Sequence, residues 1–227
     1  ITGPLMEDSG LKGVCFHEFL GSDIPAVFVR KNESVSFSVA GHAPHTSSPQ
    51  LLKALKKIAT SKQLPFSIHV AESDDESEFI HGKKGAWADF LTARGIDFSS
   101  WDIGSKTPVS YVYDMGLLDS STLAVHLLNV NEKDMDLLAR SKTKVCVCPR
   151  SNWNLHKKLP DIELMIQKGI QPALGTDSLA SCASLNIIDE MAFVQKHYPG
   201  LDPETIVAMG TINGASALGV EHLTGTL

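Results

Sequence analysis

Short apolar segments alternate with helix-like segments along this chain, and this alternation restricts the fold more than any other feature. Six segments are predicted to be strands, beginning near residues 13, 35, 66, 123, 144 and 171. Helical periodicity follows several of them; after the second strand, for example, Leu51, Leu52, Leu55, Ile58 and Ala59 form one apolar face. Alternating β and α segments predict an α/β fold with a parallel sheet or a (β/α) barrel.

The number of strands is too small for a closed barrel. A (β/α)8 barrel has eight strands and typically ~250 residues, whereas six strands are predicted in these 227 residues. Residues 22–33 have weak helical periodicity and barely suffice for a parallel crossover, and Gly225-Thr-Leu227 ends abruptly after a helix. We therefore expect a (β/α)8 barrel whose first two βα units are missing from this chain.

Composition favours a small-molecule substrate. The net charge of -6 and the pI of about 5.8 argue against nucleic acid or an anionic membrane as the main partner. We expect neither a membrane span nor a signal peptide, because no apolar run approaches the ~20 residues of a span. The four cysteines are sparse and are predicted to be buried thiols. We expect a cytoplasmic protein and leave a homo-oligomer open.

Three predicted strands end in residues that can bind a metal or move a proton. These segments are Phe66-Ser-Ile-His-Val-Ala-Glu72, Leu123-Ala-Val-His126 and Pro172-Ala-Leu-Gly-Thr-Asp-Ser178. The carboxyl ends of parallel strands form the active sites of such folds. His69, Glu72, His126 and Asp177 could therefore converge although they are distant in sequence.

These residue types suit hydrolysis. Deprotonating water at neutral pH needs a Lewis acid such as zinc, and His69 and Asp177 offer nitrogen and oxygen ligands. Glu72 could carry a proton between the attacking water and a leaving nitrogen. His126 could either ligate the metal or hydrogen-bond the water and the developing oxyanion. Asp177, beside the metal, could accept the proton of the water.

Each residue alone has a structural explanation. A histidine near a strand end is usually structural, and an aspartate after Gly-Thr usually caps a helix or a turn; the conjunction of three such strand ends favours function. Of His42 and His45, which follow the second strand, His42 is favoured as a pocket residue. Ser151 and Asn152 are candidates that capping of the next helix explains equally well. Structural or surface roles are expected for His17, Glu18, His81, His156, His197 and His222.

Seven motifs together resemble a known family. They are Gly41-His-Ala-Pro-His-Thr46, His69-Val-Ala-Glu72, Thr107-Pro-Val with Gly116-Leu-Leu118, Val125-His126, Cys148-Pro-Arg-Ser-Asn152, Leu174-Gly-Thr-Asp-Ser-Leu-Ala-Ser181 and Asn213-Gly-Ala-Ser-Ala-Leu-Gly219. In these motifs the chain closely resembles the amidohydrolase superfamily, in the branch that includes S-adenosylhomocysteine, methylthioadenosine and aminofutalosine deaminases and the chlorohydrolases.

The resemblance implies a role for each site residue. His69, His126 and Asp177 are implied as metal ligands on the fifth, sixth and eighth barrel strands, and Glu72, His126 and Asp177 as catalytic residues, with Glu72 the proton shuttle. Substrate binding is implied for His42, Glu72 and Ser178. One divalent metal ion is implied; zinc is favoured, with iron and manganese as alternatives.

The sequence departs from the family pattern in two ways that concern whether the hydrolase barrel is complete in this chain. Family members carry a His-x-His pair on the first strand, and this sequence contains none. The small β domain of a complete member is also missing. The resemblance thus implies that residues 1–227 are a partial hydrolase barrel comprising strands three to eight.

The predicted function is metal-dependent hydrolytic deamination of a purine nucleoside-like or related N-heterocyclic substrate, with release of ammonia. Two alternatives are a chlorohydrolase or cyclic amidohydrolase with the same site, and a catalytically inactive barrel used as a scaffold. The exact substrate is left open.

Overall fold

Six parallel strands form one sheet in chain order in the computed structural model, which describes residues 10–24, 26–32 and 34–226. Every neighbouring pair is parallel. The strands are β1 (Gly13–Phe19), β2 (Val35–Gly41), β3 (Phe66–Val70), β4 (Thr122–His126), β5 (Lys144–Val147) and β6 (Ala173–Leu174). The predicted α/β architecture and the six strand positions are confirmed. Closure into an eight-stranded barrel and the missing units stay predictions.

Ten helices lie in the described ranges. They are α1 (Pro49–Ser61), α2 (Asp74–Gly82), α3 (Ala86–Ala93), α4 (Pro108–Asp114), α5 (Glu132–Ser141), α6 (Pro149–His156), α7 (Ile162–Gln167), α8 (Ile187–His197), α9 (Pro203–Gly210) and α10 (Ile212–Leu218). None of the helices in this part of the chain is long and apolar enough to cross a membrane.

The helix starts show which local signals were correct. Ser48 caps α1 by accepting a hydrogen bond from the Leu51 N–H at 3.2 Å, as predicted. Ser73 likewise accepts from the Glu76 N–H at 3.1 Å at the start of α2. The expected reciprocal half of this capping box is wrong, because the Glu76 carboxylate accepts from the N–H groups of Ala71 and Glu72 instead.

Three segments differ from the sequence prediction. Residues 149–152, whose sequence reads as a loop after the fifth strand, begin α6 instead, and α3 was not predicted. The single helix expected over residues 203–218 is broken at Thr211, whose φ of -133° and ψ of -94° lie outside the helical region. Among the described residues between β1 and β2 there is no helix, which agrees with the weak periodicity of residues 22–33, and Arg30 pairs with Phe37. The short helix predicted before Gly10 lies outside the described residues.

The core lies between the sheet and the helices and fixes the strand ends. All seven residues of β2 are buried, and Leu51, Leu52 and Leu55 of α1 pack in the same cluster as Phe66 and Ile68 of β3. Since interiors pack as densely as organic crystals, side chains at the carboxyl ends of β2, β3 and β4 have a rigid base.

Candidate active site

Three histidines form a row across the carboxyl ends of β2, β3 and β4. The His69 ring stacks on the His126 ring with centroids 5.3 Å apart and an interplanar angle of 29°. On its other side, His69 meets the His42 ring edge-on, also at 5.3 Å. Three residues that the sequence singled out are therefore neighbours in space.

His69 is oriented by the main chain of β2. Its backbone N–H and its Nδ1 both lie against the carbonyl oxygen of His42, at 3.0 and 2.7 Å. When Nδ1 donates to this carbonyl, the lone pair of the ring lies on Nε2. A carboxylate oxygen of Glu18 lies 3.7 Å from Nδ1. This is how metal-binding histidines are commonly held, with one ring nitrogen bonded to protein and the other free.

His126 is almost fully buried, at 2% exposure. The amide nitrogen of Asn152 lies 3.2 Å from its Nδ1. An amide donor there puts the ring proton on Nε2, which lies 3.5 Å from Oε2 of Glu72. Burial lowers the pKa of His126, and the opposing charge of Glu72 does not offset it. A neutral ring with its N–H directed at Glu72 favours the hydrogen-bonding alternative for this residue.

His42 is half-buried and lies at the β2 end of this row of histidines. Its Nδ1 lies 2.6 Å from Oγ1 of Thr46, which fixes the ring. Burial lowers the pKa of His42, and the neighbouring His69 adds to that effect while Glu18 opposes it. His42 is therefore a neutral polar group beside His69, and its predicted contact with substrate stays a prediction.

Asp177 is held by serine hydroxyls. Its Oδ2 accepts from Ser151 at 2.5 Å and from Ser181 at 2.9 Å, and its Oδ1 accepts from the Ser178 N–H at 2.8 Å. Burial alone would raise the pKa of Asp177, but the hydrogen bonds from Ser151 and Ser181 outweigh it and lower the pKa. The carboxylate is thus ionised at neutral pH. Ser178 helps to orient Asp177, while its own contact with substrate remains a prediction.

Three residues of the site have backbone conformations that L-amino acids rarely adopt. Ala71, His126 and Asp177 have φ of 56°, 76° and 60°. Such residues persist only where the surrounding structure imposes them, and they concentrate at functional sites. Each lies at or just after the end of β3, β4 or β6, so the chain turns sharply where its polar side chains are presented.

The donor atoms fit a divalent metal ion around His69. Within residues 10–24, 26–32 and 34–226, the set whose ligand atoms all come within 4.8 Å of one another is Glu18, His42 and His69. The predicted trio of His69, His126 and Asp177 is not such a set in this geometry. Imidazole nitrogen and carboxylate oxygen are ligands that zinc and other divalent transition metals accept. The choice of ligands and metal remains a prediction.

Two polar residues of the site were assigned to structure or surface from sequence. Glu18 lies near the end of β1, in register with Ala40 of β2, and reaches His69. His156 ends α6 and lies 3.3 Å from Oε1 of Glu72. The strand-end argument, applied to β1, would have found Glu18. The sequence analysis missed His156 as a site residue because residues 149–156 were not predicted to form a helix.

Glu76 fixes the main chain that carries Glu72. Its fully buried carboxylate accepts from the Ala71 N–H at 3.0 Å and the Glu72 N–H at 2.8 Å. His45 packs on Trp87 and has its Nδ1 3.9 Å from Oε1 of Glu76. Burial alone would raise the pKa of Glu76, but His45 and the two N–H groups outweigh it and lower the pKa.

This lowered pKa predicts a pH-dependent stability. The pKa of Glu76 in the unfolded chain is about 4.3, so its stabilising contribution is complete above that pH and is lost as the pH falls through the lower folded-state pKa. We expect Glu76→Gln to reduce the free energy of unfolding by about 1.5 to 3 kcal/mol at pH 7. Urea unfolding from pH 7 to pH 3 should show this difference shrinking, and a constant difference would contradict the assignment.

The family assignment follows from comparison with known proteins. The amidohydrolase family model matches residues 23–227. This α/β chain therefore belongs to the amidohydrolase family, as the motif resemblance predicted.

Its relatives include several deaminases. Aminodeoxyfutalosine deaminase of Deinococcus radiodurans is 35% identical over 184 residues, covering 78% of this chain and 44% of the relative. 5-Methylthioadenosine/S-adenosylhomocysteine deaminase of Aquifex aeolicus is 30% identical over 199 residues, covering 84% and 42%. The chain thus spans less than half the length of these curated relatives.

Solved structures agree on the fold. Aminofutalosine deaminase of Helicobacter pylori superposes with a TM-score of 0.81 at 25% identity, covering 95% of this chain and 58% of that one. An adenosine deaminase of Xanthomonas campestris with bound zinc gives 0.70 at 24% identity, covering 87% and 42%. The second likeness supports the fold alone.

Proposed function

We propose that residues 1–227 comprise strands three to eight of a hydrolase barrel that deaminates a purine nucleoside-like or related N-heterocyclic substrate. The substrate is a small molecule, and the metal is a single divalent ion, zinc before iron or manganese. The deaminase names of the relatives support this substrate class. A cytoplasmic location and a homo-oligomer remain expectations from the sequence.

One observation carries the proposal. Oε2 of Glu72 lies 3.5 Å from Nε2 of His126, and the His126 ring stacks on His69. A carboxylate that can exchange a proton therefore stands beside a neutral N–H donor and next to a histidine with a free nitrogen. Proton transfer, charge stabilisation and metal binding are the three capacities that hydrolytic deamination needs.

The residues divide the reaction between them. A divalent metal ion held by His69 and Asp177, with Glu18 and His42 beside His69, would supply the Lewis acidity that makes water nucleophilic near neutral pH. Asp177 accepts a proton as water adds to the amine-bearing carbon. Glu72 delivers a proton to the adjacent ring nitrogen, and the Nε2–H of His126 stabilises the charge that develops. The proton held by Asp177 then passes to the amino group, and the proton of the new hydroxyl returns to Glu72, so that the carbon–nitrogen bond breaks, ammonia leaves and a carbonyl group forms.

The test is ammonia release by the protein expressed at the full length of its gene. The panel contains 5-methylthioadenosine, S-adenosylhomocysteine and aminodeoxyfutalosine, together with a chlorinated triazine and a cyclic amide. We expect ammonia from at least one of the three nucleosides, with metal content measured in the same preparation. Chloride release or ring opening without deamination would overturn the proposal, as would inactivity of a metal-loaded protein on the whole panel.

Asp177→Asn should reduce both metal content and turnover. The amide keeps the shape but loses the negative charge and one acceptor position, while Ser151 and Ser181 still donate towards it. Loss of a metal ligand, or of a group that orients one, typically costs about 10 to 100-fold in metal affinity or activity. Metal analysis and ammonia assays check this, with the exposed Asp136→Asn as control. Full metal content and full turnover in Asp177→Asn would remove the residue from the site.

A further inference from the structure

The carboxylate of Glu72 lies between two histidines, and only one of them belongs to the motifs of the strand ends. Oε2 faces Nε2 of His126 at 3.5 Å, and Oε1 faces Nε2 of His156 at 3.3 Å. Within residues 10–24, 26–32 and 34–226, the Glu72 carboxylate has these two polar contacts. The side chain is 26% exposed, so packing alone does not fix it.

His156 comes from a helix that already contacts the other acid–base residues. Helix α6 provides Ser151, which donates to Asp177, and Asn152, which contacts His126. His156, at the last position of the same helix, contacts Glu72. A single helix therefore positions all three residues that the proposed reaction uses for proton transfer and charge stabilisation.

His156 and Glu72 also line the same cleft. A cleft of about 260 Å³ opens beside the two residues and is lined by Ser73, Asp74, Asn129 and Lys158 as well. Lys158 is bonded to Asp74 and Asn129, so it does not neutralise Glu72. Without His156, Oε1 would lose this contact and the carboxylate could rotate within the cleft.

We propose that His156 is a positioning residue for Glu72. A hydrogen bond from its Nε2 to Oε1 fixes the rotation of the carboxylate and leaves Oε2 directed at His126 and the reacting atoms. Glu76 fixes the backbone of Glu72 through the N–H at 2.8 Å, so the two contacts together determine the position of the acid. This inference rests on the proposed function, in which Glu72 moves the proton.

The experiment compares His156→Ala with His156→Gln in the full-length protein. The amide nitrogen of glutamine reaches about as far as Nε2 of histidine, so it can still donate to Oε1. We expect kcat of His156→Ala to fall about 10 to 100-fold with KM little changed, since small misplacement of a catalytic group costs up to about 10²-fold. His156→Gln should recover most of the loss. His81→Ala, an exposed histidine on α2, is the matched control.

A double-mutant cycle separates positioning from a general structural role. If His156 acts through Glu72, His156→Ala should have no further effect in a Glu72→Gln background. An equal loss of rate in both backgrounds would overturn the inference, as would wild-type kcat in His156→Ala or failure of His156→Gln to recover activity. Inactivity of the wild-type protein, or normal turnover of Glu72→Gln alone, would instead contradict the proposed function.

Discussion

Glu72→Gln is expected to lose most of its turnover while it keeps its metal. Glutamine preserves the shape of the side chain and can still contact His126 and His156, but its amide cannot deliver a proton to the ring nitrogen. Loss of a general acid or base typically lowers kcat by about 10² to 10⁴-fold. Ammonia release under saturating substrate measures the effect, and metal analysis of the same preparation shows whether the site is otherwise intact.

The control for this variant is Glu132→Gln, an exposed glutamate at the start of α5. It removes the same charge at a distance from the site and should leave kcat unchanged. Near-normal turnover in Glu72→Gln would remove the proton-shuttle role. A parallel loss of metal and turnover would instead assign Glu72 to metal binding.

The strand ends were predictable because their signals are local. The apolar run from Phe66 to Val70 defines β3, and parallel strands place their carboxyl ends along one edge of the sheet. The sequence alone therefore groups His69, His126 and Asp177. Their detailed contacts could not, because Ser151 reaches Asp177 and Asn152 reaches His126 across 26 residues of sequence.

Helix α6 shows why the rest of the site escaped prediction. Its N-cap is Cys148, whose side chain makes no capping hydrogen bond, so the usual polar start signal is absent. Pro149-Arg-Ser-Asn152 therefore reads as a loop, and His156 cannot be placed on the face that meets Glu72. Glu76 escaped for a related reason: its spacing from Ser73 predicts a local capping box, but the turn at Ala71 offers its carboxylate two other donors.

Gly175→Ala is expected to damage both the stability and the activity of the protein. A Cβ at this position would lie 2.7 Å from Sγ of Cys146 and 3.1 Å from Sγ of Cys148. The two thiols face the same side of the chain, because a single residue, Val147, separates the two cysteines, and Cys148 is buried. Because cysteine side chains are short and β5 pairs with β6, the backbone has to move.

The movement would reach Asp177, which is two residues further along the chain. Overpacking of this kind costs about 1 to 3 kcal/mol, and misplacement of a catalytic group by about 1 Å can cost about 10²-fold in rate. Chemical unfolding and ammonia release measure the two effects. Gly214→Ala is the matched control, since a Cβ there meets no atom within 4 Å and alanine favours the helix.

Cys146→Ala provides the decisive partner for this substitution. It removes the sulfur atom that would lie at 2.7 Å and leaves the contact with Cys148 at 3.1 Å, which a small adjustment can relieve. The double variant should therefore recover most of the stability and rate that Gly175→Ala loses, although Cys146→Ala alone creates a small void. If the two substitutions were simply additive, the glycine would be required for a reason other than the approach of these thiols to the segment that follows β6 and carries Asp177.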